Sequence, residues 1–375
     1  MLPRERIEAA IEFRAPDKLP LRIFAAAGGL YEHGQKLVDL IKACGHDFGD
    51  LSGLTLPEPP GPEDFDPDGR YHAIRTDEWG TTWEYRIYGI WGHPIGWPLN
   101  DLSRLDTYVP PPTPVADGPD VEAGRAAWAA AREQYFLLGG GGSIFERLHS
   151  LRRFEEVLMD IALDTPEINR IVDMIVDNNT GHVARSLALG ADGIAFGDDY
   201  GTQEAPLLAP DTWRRFFRPR YERLFAPIRA AWPHQTVCTD APSPLDGSPA
   251  FPGCSAHGTR AAGRRIFFHT CGQVGPWLGD FRELGMDVIW PQLTAFDVPE
   301  LVRICRDLHL AVELHPDRGD LMQRSTPEDV RSYVYRLLET FDTASGGSWL
   351  YLEVDPGFPW ENIEALFGVA MELRG

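Results

Sequence analysis

Cysteine is scarce in this chain, and basic blocks and long apolar runs are missing altogether. The 375 residues hold five cysteines (Cys44, Cys238, Cys254, Cys271 and Cys305) with no close regular spacing. An odd, sparse set excludes a disulfide scaffold and fits a reducing compartment. Lys and Arg number 35 against 56 Asp and Glu, a net charge of −21. With no basic stretch to offset it, nucleic acid and anionic membranes are excluded as partners. The same acidity disfavours a polyanionic substrate unless arginines gather locally. No apolar run approaches the length of a membrane span, and Met1–Ala10 is charged and amphipathic rather than a signal sequence. A cytoplasmic protein is expected. No G-x-G-x-x-G follows a first strand, which argues against a doubly wound dinucleotide fold. No G-K-[ST] follows the glycine run Gly139–Gly142, which excludes a P-loop.

What is present is an alternation of strand-like and helix-like segments over the last 240 or so residues. Apolar residues make up 43% of the chain, ample for a large core. Strands are expected at Leu19–Phe24, His46–Leu51, Gln134–Leu138, Gly193–Phe196, Ile266–Phe268, Val288–Trp290, Leu310–Leu314 and Trp349–Val354. Between them fall helical stretches. One runs over Ile144–Leu163. A second is opened by Thr165-Pro166-Glu167 and stopped at Gly190. Pro210–Trp232 is a third, kinked at Pro219. Val274–Leu284, Asp297–Leu308, a helix opened by Thr326-Pro327-Glu328, and Glu361–Leu373 complete the set. Eight such units predict an α/β protein, a (β/α)₈ TIM barrel, as one domain over residues 1–375. Pro57–Pro114 is an elaboration with a hairpin around Glu78–Tyr88. Pro233–Arg264 is an insertion expected on the face opposite the site, which makes Cys238 and Cys254 bystanders.

Catalytic groups of a barrel sit at the carboxyl ends of its strands. His269 and Cys271 stand there two residues apart, so both side chains share one face. Imidazole and thiolate together suit Zn²⁺. Asp198 and Asp199 end an earlier strand. Adjacent side chains alternate faces, so at most one enters the site, as acid or base or as a partner of the zinc-bound histidine; the competing role is capping a turn or helix. Gln203 either orients substrate or caps its loop. His315 shares a face with Glu313 and is a candidate acid. Asp317 contacts substrate or forms an internal ion pair with Arg318. Phe145, Tyr200 and Trp290 are candidate substrate walls, against plain core packing.

Several stretches occur in a telling order: Asp77-Glu78-Trp79-Gly80, then Gly197-Asp198-Asp199-Tyr200-Gly201-Thr202-Gln203 with Pro210 and Pro219 beyond. His269-Thr270-Cys271-Gly272, Ser325-Thr326-Pro327-Glu328-Asp329-Val330 and Pro359-Trp360-Glu361-Asn362-Ile363 follow. Together they resemble the uroporphyrinogen decarboxylase superfamily in its corrinoid-dependent, methyltransferase-like branch. The resemblance implies a barrel with a funnel-shaped site. Leu19-Pro20-Leu21-Arg22-Ile23-Phe24 carries one arginine where the true decarboxylases carry an arginine-rich grip, so porphyrinogen decarboxylation is not expected. The methyltransferase branch implies a zinc held by His269, Cys271 and a third ligand near the last strand. No cysteine follows Cys305, so the residue expected in the third position that the resemblance implies is Glu353, with Asp355 as the substitute. The implied reaction moves a methyl group between a small methoxylated or N-methylated compound and a corrinoid protein. Cobalamin would be carried by that partner, and a homodimer is compatible. The alternatives are a metal-independent decarboxylase or lyase acting on a small acid, and a non-catalytic ligand-binding barrel.

Overall fold

The computed structural model describes residues 1–230 and 264–375. The insertion 233–264, apart from Arg264, and with it Cys238 and Cys254, lies outside the described residues. Ten strands lie among the described residues: β1 (Leu21–Phe24), β2 (Ala73–Thr76), β3 (Thr82–Tyr85), β4 (His93–Gly96), β5 (Leu138–Gly142), β6 (Gly193–Gly197), β7 (Arg265–Thr270), β8 (Val288–Pro291), β9 (Ala311–Leu314) and β10 (Ser348–Glu353). Seven form one parallel sheet in the order β1-β10-β9-β8-β7-β6-β5, and β2-β3-β4 form a separate antiparallel sheet within the elaboration. The large sheet curls on itself. Phe267 of β7 and Trp349 of β10, three strands apart, have ring centroids 5.9 Å from each other.

The gap between the edges β1 and β5 is spanned by residues 46–49, where a strand was expected. Asp47 N–H donates to Leu21 O (2.9 Å), and Phe136 N–H, just before β5, donates to Asp47 O (3.0 Å). Side chains take the other ladder positions. Asp47 Oδ2 accepts Leu21 N–H at 2.8 Å and His46 Nδ1 accepts Ile23 N–H at 3.0 Å. The fully buried Asp47 carboxylate also holds Arg6 (2.5 Å) and Arg374 (2.8 Å). A carboxylate that replaces backbone acceptors breaks the strand's repeat, so this segment is irregular.

The helix Pro3–Ile11 closes the floor. Its Ile7, Ala10 and Ile11 pack with Phe136, Phe267, Val288, Ala311 and Trp349, and Phe48 joins them. Elsewhere local signals place the elements. Thr165 accepts Ile168 N–H, Pro166 opens the helix Pro166–Leu189, and Gly190 stops it at φ 90°. The expected helix 144–163 is two, Phe145–Leu151 and Phe154–Leu163. The break falls at Arg152, which is extended and buried against Asp160 (2.7 Å) and Glu156 (3.0 Å). Pro219 does not kink a helix either. It stands in the first turn of Arg218–Ala230, where its missing N–H is not needed. The glycine run is itself β5, because Cβ atoms at Gly139 and Gly141 would collide with Ser186 and the Phe196 ring. No helix among the described residues is long and apolar enough to cross a membrane.

Candidate metal centre

Strand alternation decides which side chains enter the barrel. On β6 and just after it, Ala195, Gly197 and Asp199 are part-exposed while Ile194, Phe196 and Asp198 are buried beneath helices. The inward face is the more accessible one, so the barrel opens as a funnel at its carboxyl end. Gly197 pairs with His269 across β6 and β7, which brings Asp199 beside Cys271 two residues further on.

Asp199, His269 and Cys271 converge: each offers a ligand atom, and all lie within 4.8 Å of one another. His269 Nε2 is 3.5 Å from Cys271 Sγ and 3.6 Å from Asp199 Oδ1. Cys271 N–H donates to Asp199 Oδ1 at 2.7 Å, fixing the carboxylate. His269 Nδ1 lies 2.9 Å from the Trp290 carbonyl, an acceptor only, which assigns the proton to Nδ1 and leaves the Nε2 lone pair facing the sulfur and carboxylate. The Trp290 indole lies against the imidazole at 4.1 Å between centroids.

This donor set fits zinc. Tetrahedral coordination at the usual Zn–N, Zn–S and Zn–O lengths separates N from S by about 3.5 Å and N from O by about 3.3 Å, close to the spacings found. Three protein ligands with a remaining open position are the pattern of catalytic zinc, and a carbonyl behind the histidine is its usual support. Burial holds the His269 imidazole neutral, opposed by the Asp199 charge. Burial, then the same charge, pushes the Cys271 thiol up to about 12. A bound cation reverses that pressure on the sulfur.

Glu353 is not in this group. It lies on β10 with its Oε2 4.0 Å from His315 Nε2 and 3.7 Å from Arg318, accepting from Tyr351 O–H at 3.2 Å. Asp355 pairs with Arg318 at 3.0 Å. The carboxylate that joins His269 and Cys271 is Asp199, expected as an acid or base or as a partner of the zinc-bound histidine. Burial raises the Glu353 carboxyl, with Arg318 opposing. His315 accepts from Trp290 Nε1 at 3.3 Å and is held neutral by burial and by the Arg318 charge.

Other candidates fall elsewhere. Asp198 points outward and is 1% exposed. It accepts the N–H groups of Ile144 (2.9 Å) and Glu146 (2.8 Å) and the Tyr221 hydroxyl, so it caps the helix Phe145–Leu151. Burial pushes its carboxyl up to about 7 against those donors. Tyr200 and Phe145 stack on each other in the core (5.2 Å, 18°), with Tyr200 O–H 2.9 Å from Tyr221 O–H; neither walls the funnel. Asp317 accepts Gly319 N–H (3.1 Å) and Leu321 N–H (3.0 Å), ordering the loop after β9. Gln203 pairs through its amide with Gln292 (3.0 Å), whose oxygen also accepts Gly272 N–H (3.0 Å). It braces the loop behind Cys271. Trp290 does face inward, between His269 and Tyr351 (4.5 Å).

Sequence reading named Arg22 and Arg318 but did not place either at the site, and it paired Arg318 with Asp317 rather than with Asp355. Arg22 on β1 donates to Glu313 at 2.9 Å and lies over the Tyr351 ring at 5.3 Å. Arg318 bridges Glu353 and Asp355. Inward parity on β1 could have found Arg22; Arg318 is on a loop and left no periodic signal.

The family model described as "Uroporphyrinogen decarboxylase (URO-D)" matches residues 97–373. Among solved structures, a methyltransferase from Methanosarcina mazei matches with TM-score 0.59 and 13% identity, covering 100% of both chains. A dihydropteroate synthase from Xanthomonas albilineans with 4-aminobenzoic acid matches 50% of this chain and 57% of its own, at 16% identity and TM-score 0.31. No curated protein matches the sequence.

Proposed function

This chain belongs to the uroporphyrinogen decarboxylase family, and from that premise we propose that it is a zinc-dependent methyltransferase component. It moves a methyl group between a small methylated compound and a corrinoid carried by a partner protein. The observation that carries the reading is the convergence of Asp199, His269 and Cys271 at the open end of the barrel. The structural neighbour from Methanosarcina mazei, itself a methyltransferase, agrees with it. Zinc, when bound there, supplies a Lewis acid that draws electron density from the heteroatom holding the methyl group.

The chain's own residues do the rest. His269 presents Nε2 because the Trp290 carbonyl keeps the proton on Nδ1. Asp199 is held in place by the Cys271 N–H. His315, whose Nε2 carries the proton because its Nδ1 accepts from the Trp290 indole, holds a proton for the heteroatom that loses its methyl group, with Glu353 4.0 Å away. Phe24, at the end of β1 and 50% exposed, offers an apolar rim for the substrate or the corrinoid carrier. The decarboxylase reading has less to stand on. Arg22 is paired with Glu313 and Arg318 with Asp355, so each is already committed to a carboxylate of the chain.

Metal analysis of anaerobically purified protein tests the proposal. About one equivalent of zinc is expected, lost in Cys271→Ala, together with cobalamin-dependent demethylation of a methoxylated or N-methylated compound. Metal-free wild-type protein that demethylates nothing in the presence of a corrinoid carrier refutes it.

A further inference from the structure

The inward glycines of the barrel are not equivalent. On β6, a Cβ at Gly193 would strike Phe267 Cε2 at 2.7 Å and Leu138 Cδ2 at 2.9 Å, so that position is filled by the floor. On β5, Gly140 also faces inward, since Gly139 and Gly141 on either side face Ser186 and Phe196. A Cβ on Gly140 would meet no described atom within 4 Å, and the residue is exposed although it lies inside the barrel. At Gly197, inward on the neighbouring strand, the three atoms nearest an added Cβ all belong to His269, and none is closer than 3.4 Å. Neither residue has a positive φ, so no turn requires glycine there. The packing that explains Gly139, Gly141 and Gly193 leaves Gly140 and Gly197 unexplained. They leave a slot above the Leu138–Phe267 floor, and Gly197 places it beside His269.

A second, separate feature opens on the same interior. His315 follows the last residue of β9 and shares the inward face of Glu313, and its Nδ1 accepts the Trp290 indole N–H, which assigns the remaining proton to Nε2. Among the described residues that Nε2 is buried and without a hydrogen-bond partner; Glu353 Oε2, at 4.0 Å, is beyond hydrogen-bond distance. A buried donor left without an acceptor is costly, and a ligand oxygen would satisfy it.

We infer that Gly140 is a specificity-determining residue: with Gly197 it admits the flat body of the substrate, an uncharged planar ring whose oxygen accepts from His315 Nε2–H. The slot is flanked below by Leu138 and Phe267; beside it His269 lies against the Trp290 ring, which in turn lies against Tyr351. Apolar and aromatic walls favour a ring over a compact cation or a carboxylate. Arg22 lies over the Tyr351 and Trp290 rings, so those faces already hold a cation and repel a second. This inference rests on the methyl-transfer reading for what the site does, but not for whether the slot binds a ring.

Three probes separate its parts by ligand-observed NMR titration of the full-length protein: anisole has the ring and an oxygen acceptor, toluene the ring alone, and methanol the oxygen alone. Wild type is expected to bind anisole at least tenfold more tightly than methanol and about fivefold more tightly than toluene, the latter ratio being the worth of one neutral hydrogen bond. Gly140→Leu should weaken anisole and toluene alike by tenfold or more, and Gly140→Ala by less. His315→Phe should abolish the preference for anisole over toluene, and His315→Gln should keep part of it. Thermal melts and zinc content are read on every variant. Gly140→Leu should melt with wild type, whereas Gly139→Leu, facing Ser186, should not. Unchanged ring binding in a folded Gly140→Leu protein, or methanol bound as tightly as anisole by wild type, overturns the inference. Ring binding lost in Gly140→Leu from a protein that carries no zinc would keep the slot and refute the metal reading.

Discussion

Replacing Asp198 is the sharpest way to separate scaffold from site, because it adjoins Asp199 in sequence and faces the other way. In Asp198→Ala the N–H groups of Ile144 and Glu146 lose their acceptor inside the core. Tyr221 does not, since its hydroxyl still has Tyr200 at 2.9 Å. Two buried N–H groups left unsatisfied at about 1–3 kcal/mol each give a loss of about 4 kcal/mol, before any cavity term. Asp198→Asn keeps an acceptor for both amides and offers its own N–H to Tyr221, so it should cost about 1 kcal/mol or less. Equilibrium denaturation at pH 4, where the carboxyl keeps its proton in the folded protein and its titration has taken little of the stability, reads the difference.

The pH dependence carries a second signature of the same group. The carboxyl is pushed from 3.8 up to about 7 by burial. A raised folded value means that the stabilisation is complete below the unfolded value and is lost as pH rises through about 7. Relative to Asp198→Asn, wild type should therefore lose up to about 4 kcal/mol between pH 4 and pH 7. Zinc content should be unchanged in both variants. An Asp198→Ala protein as stable as wild type but without its metal or its activity would refute the reasoning.

Other outcomes follow from the same geometry. Asp199→Asn should lower zinc affinity by tenfold or more while Glu353→Gln leaves it unchanged, as read by competition with a chromogenic chelator; the reverse ranking would restore Glu353 as the third ligand. Trp290→Phe keeps the carbonyl behind His269 but removes the indole N–H that holds His315, so it should alter zinc affinity less than tenfold and mainly weaken substrate binding. A wholly unchanged substrate affinity would argue against that link. Thr326→Ala removes the acceptor for Asp329 N–H at the start of the helix Pro327–Thr340 and should cost about 1 kcal/mol by denaturation, with zinc content intact.

The sequence by itself determined the repeated strand and helix units, the capped helix starts at Thr165, Asp297 and Thr326, and the His-x-Cys pair. These are local: period, capping chemistry and strand parity act over a few residues. Parity also stated that only one of Asp198 and Asp199 could face inward. It could not say which, because the choice depends on β6 aligning Gly197 with His269. The ring stack of Phe145 on Tyr200, far apart in the chain, was likewise invisible to periodicity. The irregular span at residues 46–49 arises because Asp47 gathers Arg6, Arg374 and Leu21 N–H from three distant segments. In sequence Glu353 was the expected zinc carboxylate, and Asp199 an acid, a base or a partner of the zinc-bound histidine. Only the closing of the sheet put one against His269 and Cys271 and the other against Arg318, since a ligand set is fixed by distances between strands and not by spacing along them.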